Sequence, residues 1–433
     1  MKLLIYCAAF LFCALGRFHA QQEKISIHEE QSKYYQNKET PPVEKISVLT
    51  GLDILLRDHT ALLKGKSIAL VTNQTGIDHD GVPNYKRLMA MEKVNLQVIF
   101  SPEHGLFGEA AAGQKVSYNP NAFNLPEVIS LYGKTRKPTP KMLHGIQLII
   151  YDIQDIGSRF YTYITTLGLI MEAAGEQNIP VLVLDRPNPI RGDIIAGPLL
   201  DMNYKTFVGY YPIPIRYGGT IGDMAKKIIA NKWISPMPYL TVIPLQGREN
   251  NLWFDETDLK WVNPSPNIPD LETALVYPGM CLIEGTNVSE GRGTPHPFKW
   301  IGAPWINGRN LSQELNKLGL PGVVFVPVSF TPVSLPGKST RPKHEGQKCS
   351  GVEIRITNRN EYKSVKTGVY MLFIIYKKYS DQMIFKEKHL NRLWGQNNLL
   401  KSIKSNVNVF DFLKQFKFST TIDVLRQLNF YKG

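Results

Sequence analysis

Ile99-Phe100-Ser101-Pro102-Glu103-His104-Gly105-Leu106-Phe107-Gly108 is the stretch whose reading decides the fold. An apolar run, residues 96–100, stops at a Ser-Pro, and a carboxylate and an imidazole follow side by side. Apolar runs of this kind form buried strands, and proline, lacking an N–H, cannot continue the ladder. Glu103 and His104 are therefore expected just past the carboxyl end of a strand, which is where open α/β sheets bind ligands. Taken alone, the segment also reads as a loop with a capping Glu and a solvated His, so its surroundings must decide.

Apolar runs at residues 68–71, 96–100, 148–151 and 181–184 alternate with helical periods at 85–91, 161–174 and 221–230. Such alternation predicts βαβ units, hence an α/β fold with a parallel sheet covered by helices. The first run leads into Thr72-Asn73-Gln74-Thr75-Gly76 and the second into Glu103-His104. The third leads into Asp152-Ile153-Gln154-Asp155 with Arg159 beyond, and the fourth into Asp185-Arg186-Pro187-Asn188-Pro189. In a parallel sheet all four turns leave by one edge. Four such turns bearing carboxylates, amides and arginines predict a polar cleft better than four unrelated solvent loops.

No strand is followed by Gly-x-Gly-x-x-Gly or a P-loop lysine, which argues against NAD or ATP and leaves no cofactor expected. Gly-x-Ser-x-Gly and Ser-x-x-Lys are missing, as are zinc spacings and His-Glu-x-x-His, so no serine-hydrolase chemistry and no metal are expected. Beyond residue 240 the chain turns rich in Pro and Gly. Trp261-Val262-Asn263-Pro264-Ser265-Pro266-Asn267-Ile268-Pro269 is expected to be irregular, a boundary or a cleft wall. A second chemical cluster, Glu284-Gly285-Thr286-Asn287-Val288-Ser289-Glu290-Gly291-Arg292-Gly293-Thr294, sets two acids and an arginine among glycines that permit close backbone approach. A smaller α/β unit is expected after it: helix 311–318, strands 323–326 and 352–356, helix 367–379, and a helical end.

The start of the chain has a different character. Met1-Lys2 precedes an apolar run over residues 3–15, too short to span a bilayer, which reads as a secretory signal peptide. The expected organisation is a signal peptide at 1–20, a polar tether at 21–47, a catalytic domain at 48–270 and a C-terminal α/β domain at 271–433. Export to the periplasm or medium follows, with no stable membrane span. Cys13 lacks the small residue that precedes a lipidated cysteine, which weighs against a lipoprotein. Cys281 and Cys349 remain after cleavage, as a disulfide or as two buried thiols. The formal charge is +13, and residues 334–433 hold 19 Lys and Arg against 7 Asp and Glu. Scattered lysines of this sort read first as a solvated face and second as attraction to an anionic polymer. Nucleic acid is not expected as a partner, since no recognised binding motif is present.

Taken in order, Ser101-Pro102-Glu103-His104-Gly105, Asp152-Ile153-Gln154-Asp155 through Arg159-Phe160-Tyr161-Thr162-Tyr163, Asp185-Arg186-Pro187-Asn188-Pro189, Pro264-Ser265-Pro266-Asn267 and Glu284-Gly285-Thr286-Asn287 through Gly291-Arg292-Gly293-Thr294 carry a resemblance. The chain resembles the exo-β-N-acetylmuramidases of the NamZ type, from about residue 51 to 369. That resemblance implies an exported glycoside hydrolase with a Rossmann-like domain and a smaller C-terminal α/β domain. Its substrates would be peptidoglycan fragments, from whose non-reducing ends it would release N-acetylmuramic acid. It also places the family's catalytic glutamate on Glu103. Tyr217 and Gly219 stand where His and Met are expected.

Glycoside cleavage needs an acid to protonate the departing oxygen. Glu103 takes that role, with Leu106 and Phe107 as its expected apolar surround and His104 orienting it or a sugar hydroxyl. For the second group Asp152, Asp155, Asp185, Glu284 and Glu290 are candidates, and Asp152 is favoured because it directly ends a strand. An internal attack by the sugar's 2-acetamido group is an alternative. The lactyl carboxylate of the substrate suits an arginine fork, from Arg159, Arg186 or Arg292. Asn73, Tyr161, Asn188 and Asn287 complete the expected substrate contacts, while Tyr163 reads mainly as core and Tyr277 and Trp305 as possible sugar platforms. The rival readings are a non-catalytic cell-wall-binding protein using the same cleft and, more remotely, an amidase or peptidase on the stem peptide.

Overall fold

In the computed structural model, strand β1 (Ser67–Thr72) lies between β2 (Asn95–Ser101) and β4 (Leu148–Asp152), and all three run parallel. Beyond β2 lies β3 (Glu127–Ser130), and beyond β4 lie β5 (Val181–Leu184) and β6 (Leu240–Ile243), giving the order β3-β2-β1-β4-β5-β6. The described residues are 45–111, 125–247 and 251–416. The expected signal peptide, and the tether up to residue 44, lie outside them. Ile46 already bridges Thr257, so ordered pairing starts just inside the segment expected to be tether.

Register explains why the four polar turns meet. Val71 pairs with Phe100, Thr72 with Asp152, and Ser101 with Ser130, so neighbouring strands stop level with one another. The strand order reverses direction at β1, which makes the ends of β2, β1 and β4 the switch point of the sheet. Period-2 alternation sorts the two faces: Ile68 and Leu70 enter one apolar cluster, Ala69 and Val71 the other. The first face is covered by α1 (Gly51–Asp58), started by a capping box of Thr50 and Asp53, and by α2 (Asn84–Met89).

The other face carries α3 (Tyr163–Glu176) and α4 (Ile221–Ala230), the latter begun by a Thr220–Asp223 capping box. Nearly every residue of α3 is buried, because a helix apolar all round needs cover on every side. That cover comes from the C-terminal part. One continuous apolar cluster runs from Ala69 and Tyr151 through α3 into α5 (Leu271–Met280), α7 (Ser364–Tyr379) and α8 (Glu387–Trp394).

The second sheet is antiparallel: β7 (Trp300–Ala303) and β8 (Val323–Phe330) flank β9 (Cys349–Ile356), with α6 (Gly308–Lys317) packed on it. Helices α9 (Asn398–Lys404) and α10 (Val409–Lys414) end the described chain. Helix α5 is a departure from expectation. It is not among the expected helices, and Pro278 and Gly279 both lie inside it, Gly279 meeting α7 backbone to backbone. A Cβ on Gly279 would sit 1.9 Å from the Ser364 carbonyl oxygen, and one on Gly368 would sit 2.3 Å from that of Gly279. This crossing fixes the short 3₁₀ turn Cys281–Gly285, which carries Glu284. Both described cysteines are free, buried thiols.

Candidate active site

The Glu103 loop is held in a conformation that costs energy. His104 has φ of 72°, in the left-handed region that favours glycine, and Gly105 and Gly108 follow at 80° and 70°. Strain of this kind persists only where the surroundings over-determine it, and it gathers at functional sites. Here the surroundings are specific. The His104 Nδ1–H donates to the Ala110 carbonyl at 2.8 Å, and the Ala110 N–H returns a bond to the His104 carbonyl. The neutral ring therefore carries its proton on Nδ1 and leaves the Nε2 lone pair available. Burial lowers the His104 pKa; the carboxylate of Glu103 and the Ala110 bond oppose this, and Arg292 adds to it. One Glu103 oxygen accepts a bond from the Thr162 hydroxyl at 3.1 Å, at the start of α3.

Opposite lies the second cluster. The Arg292 guanidinium donates through Nε and Nη2 to one oxygen of Glu284, at 3.1 and 2.8 Å, and lies 3.6 Å from Glu290. Burial by itself would raise the Glu284 carboxyl; Arg292, with His389 and Lys343, overcomes this and holds it at about 2. Nη1 of Arg292 has no hydrogen-bond partner among the described residues. Glu290 pairs with Lys343 at 2.8 Å, whose ammonium also donates to the Ile283 and Val288 carbonyls.

Glu103, His104, Glu284 and Arg292 line one pocket of about 130 Å³. Its floor is aromatic: Tyr161 stands edge-on to Tyr163 (4.8 Å) and Tyr277 (6.0 Å), Tyr277 edge-on to Phe298 (4.8 Å), and Arg292 lies 5.0 Å over Phe298. Tyr163 is core as well as floor, its hydroxyl donating to the Pro264 carbonyl and accepting from Asn73. Leu106 and Phe107 do not surround Glu103 as expected. They pack into the apolar cluster on the opposite face of the sheet, and the aromatic floor supplies the low-polarity wall instead.

The pocket opens into a recess of about 460 Å³, shared at Glu284, Arg292 and His389 and lined further by Glu290, Lys338 and Lys386. His389 projects from α8, 3.8 Å from Glu284. Nothing in the sequence singled it out: it is a lone histidine in a short helix, and only the fold brings it across. Thr162 lay inside a quoted motif, but a threonine between two tyrosines gives no sign that it bonds Glu103.

The remaining expected residues lie elsewhere. Asp152 is completely buried, bound by Arg186 through Nε at 2.5 Å and Nη2 at 3.0 Å and by Asn84 at 2.7 Å, and it does not line the pocket. Ending a strand put it inside the sheet's edge, not over it. Arg186 is thereby held as the internal partner of Asp152. Arg159 reaches no carboxylate: it donates to the carbonyls of Pro198, Ile213, Leu393 and Trp394, pinning the end of α8 to the first half of the chain. Burial lowers its pKa to about 9. Asp155 accepts from the Gly157 N–H and from the Tyr217 hydroxyl at 2.6 Å, so the residue standing where His was expected serves this aspartate.

Asp185 accepts from Thr220, Gly222 and Arg186. Asn73 and Asn188 tie turns together, through Thr75 and Tyr163 in one case and Ile190 and Gly219 in the other. Asn287 pairs with the backbone of Gln382 and Ile384. Trp305 lies on a different face, beside Asn307 and Arg309. Among the described residues no three His, Cys, Asp or Glu gather as a metal cluster would require.

A parallel sheet whose open edge meets a second α/β layer across a carboxylate-bearing pocket goes with the class to which the chain's similarity assigns it, the glycoside hydrolases. The chain belongs to the exo-β-N-acetylmuramidase NamZ family, with residues 68–272 matching its N-terminal part and 275–420 its C-terminal part. It is 43% identical over 376 residues to the peptidoglycan β-N-acetylmuramidase NamZ of Bacillus subtilis, covering 86% of this chain and 88% of that one. Two crystal structures of DUF1343 family proteins from Bacteroides fragilis share the fold. One has a TM-score of 0.79 at 32% identity, covering 89% of this chain and 99% of the other. The second has a TM-score of 0.70 at 28% identity, covering 89% and 98%.

Proposed function

We propose that this protein is an exo-acting β-N-acetylmuramidase that removes N-acetylmuramic acid from the non-reducing end of peptidoglycan fragments. Export to the periplasm or medium, and service in cell-wall turnover and recycling, go with that reading. The observation that supports it most is the convergence of Glu103, from the end of β2, and Arg292, from the second cluster, on one small aromatic-floored pocket.

Glu103 gives its proton to the glycosidic oxygen as the bond from the anomeric carbon to that oxygen breaks. Thr162 holds the carboxyl in place. The oxocarbenium-like charge that develops is stabilised by Glu284, whose carboxyl Arg292 holds well below the usual carboxylate range. Water then adds to the anomeric carbon, and its proton returns to the Glu103 carboxylate, directly or through solvent, which restores the acid. The free Nη1 of Arg292 binds the lactyl carboxylate, the group that separates muramic acid from glucosamine. His104, neutral and with Nε2 unprotonated, accepts from a sugar hydroxyl.

Glu103→Gln keeps the Thr162 bond and removes the acid. Release of muramic acid from unmodified disaccharide should fall by about 10²–10⁴-fold, the range a general acid supplies. Turnover near that of the parent protein would remove Glu103 from the mechanism.

A further inference from the structure

Beyond the pocket the cleft continues in a way that a single terminal sugar does not use. The recess of about 460 Å³ passes, at Lys338, into a groove of about 480 Å³ lined by Pro269, Pro297, Trp300, Phe330, Val333 and Leu335. Each is more than three times the volume of the pocket holding Glu103. The walls are continuous with it: Ser265 and Ile268 line the pocket and Pro266, Asn267 and Pro269 the groove, and Arg292 is followed directly by Gly293 and Thr294.

Charge in the recess is unbalanced. Arg292 and Lys343 are matched to Glu284 and Glu290, but neither Lys338 nor Lys386 has a carboxylate partner among the described residues. The main chain of Lys338 is also fixed in place. Its carbonyl accepts from the Asn267 amide at 2.7 Å and its N–H donates to Leu335. Gly337 packs so closely on the Glu103 loop that a Cβ there would lie 2.5 Å from the Glu109 carbonyl oxygen. The main chain that bears this cation is thus anchored between the mouth of the pocket and an aromatic groove.

We propose that the recess and groove hold the continuing glycan strand, with Lys338 pairing with the carboxylate of the next acid-bearing sugar beyond the cleaved bond. The inference rests on the muramidase reading. In a strand of alternating glucosamine and muramic acid units, a lactyl carboxylate recurs at every second sugar. The unpaired lysine meets that charge, and the apolar faces of the sugars lie on Trp300 and Phe330.

The test compares muramic acid release from a peptide-free tetrasaccharide and from the disaccharide, both beginning with muramic acid at the non-reducing end. The full chain should favour the tetrasaccharide in kcat/KM by about tenfold, the scale of one charge-assisted contact, and added salt should compress that ratio. Lys338→Ala, which removes an exposed side chain and keeps the main-chain bonds to Asn267 and Leu335, should bring the ratio to within about twofold of unity, and Lys338→Arg should retain it. Vigorous release from both substrates at equal efficiency, or an undiminished ratio in Lys338→Ala, would overturn this inference alone. A preference seen only with peptide-bearing strands would assign the recess to the stem peptide and overturn it too. No release from either substrate would overturn the muramidase reading and this inference together.

Discussion

Two arginine–carboxylate pairs stand near the open edge of the sheet, and they do opposite work. In the Asp152–Arg186 pair the side chains are 0% and 5% exposed; in the Glu284–Arg292 pair they are 21% and 22% exposed. In the first the carboxylate is fully enclosed, with Asn84 also donating to it and Arg186 Nη2 also donating to the Ile77 carbonyl. The second faces the pocket and leaves Nη1 unspent. The chemistry of the residues is the same, so what separates a structural staple from a ligand-binding fork is how far each pair is enclosed and which pocket it faces.

The largest expected effect follows from breaking the closed pair. Arg186→Met leaves Asp152 buried without its cation, and removal of one partner of such a pair costs about 3–5 kcal/mol. The urea midpoint should fall accordingly, and any loss of activity should track the folded fraction. A stable Arg186→Met protein that has lost activity would instead assign Arg186 to the substrate and dissolve the contrast.

Next comes the open pair. Arg292→Met removes a charge-assisted contact to substrate worth about 1.5–3 kcal/mol, so the preference in kcat/KM for a muramide over the matching N-acetylglucosaminide should fall by about 10–100-fold. Its effect on the urea midpoint should be smaller than that of Arg186→Met, since the pair is partly hydrated. Arg292→Lys should not restore the preference, because an ammonium cannot form the planar fork. Equal losses on both sugars would mean that Arg292 only holds Glu284.

How much of this was legible beforehand follows from the same contrast. Strands β1, β2, β4 and β5 and the meeting of their turns were readable because apolar runs ending in polar turns have one outcome in a parallel sheet. The two chemical clusters were readable as well. Which carboxylate points into the cleft was not. Asp152 and Glu103 both follow buried strands, and their fates differ because Pro102 lifts the Glu103 loop away while Asp152 is still the last residue of β4. Arg159 was unreadable for a different reason. Its partners are main-chain carbonyls, two of them more than two hundred residues away, and carbonyls leave no trace in residue identity. Helix α5 was not read because its sequence carries Pro278-Gly279, a helix-disfavouring pair, and the crossing with Gly368 that requires the glycine is a tertiary contact.

The smallest expected effect concerns the buried carboxylates that bind no cation. Burial, with Asp223 nearby, raises the Asp185 pKa to about 7 against the bonds from Thr220, Gly222 and Arg186 that lower it, and burial raises Asp155 to about 6. In the unfolded chain both titrate near 3.9. Between about pH 4 and pH 7 the folded protein therefore holds more protons than the unfolded one, and stability from these groups declines as pH rises through that window. Glu284 works with the opposite sign: held at about 2, it contributes above the unfolded value and loses that contribution only as pH falls below about 4.5. Asp185→Asn should therefore flatten the decline in melting temperature between pH 4 and pH 7 and leave the acid limb untouched. Arg292→Met should weaken the acid limb and leave the higher window alone. If both variants alter the same limb, the buried and open carboxylates are not electrostatically distinct, and the division drawn from their enclosure fails.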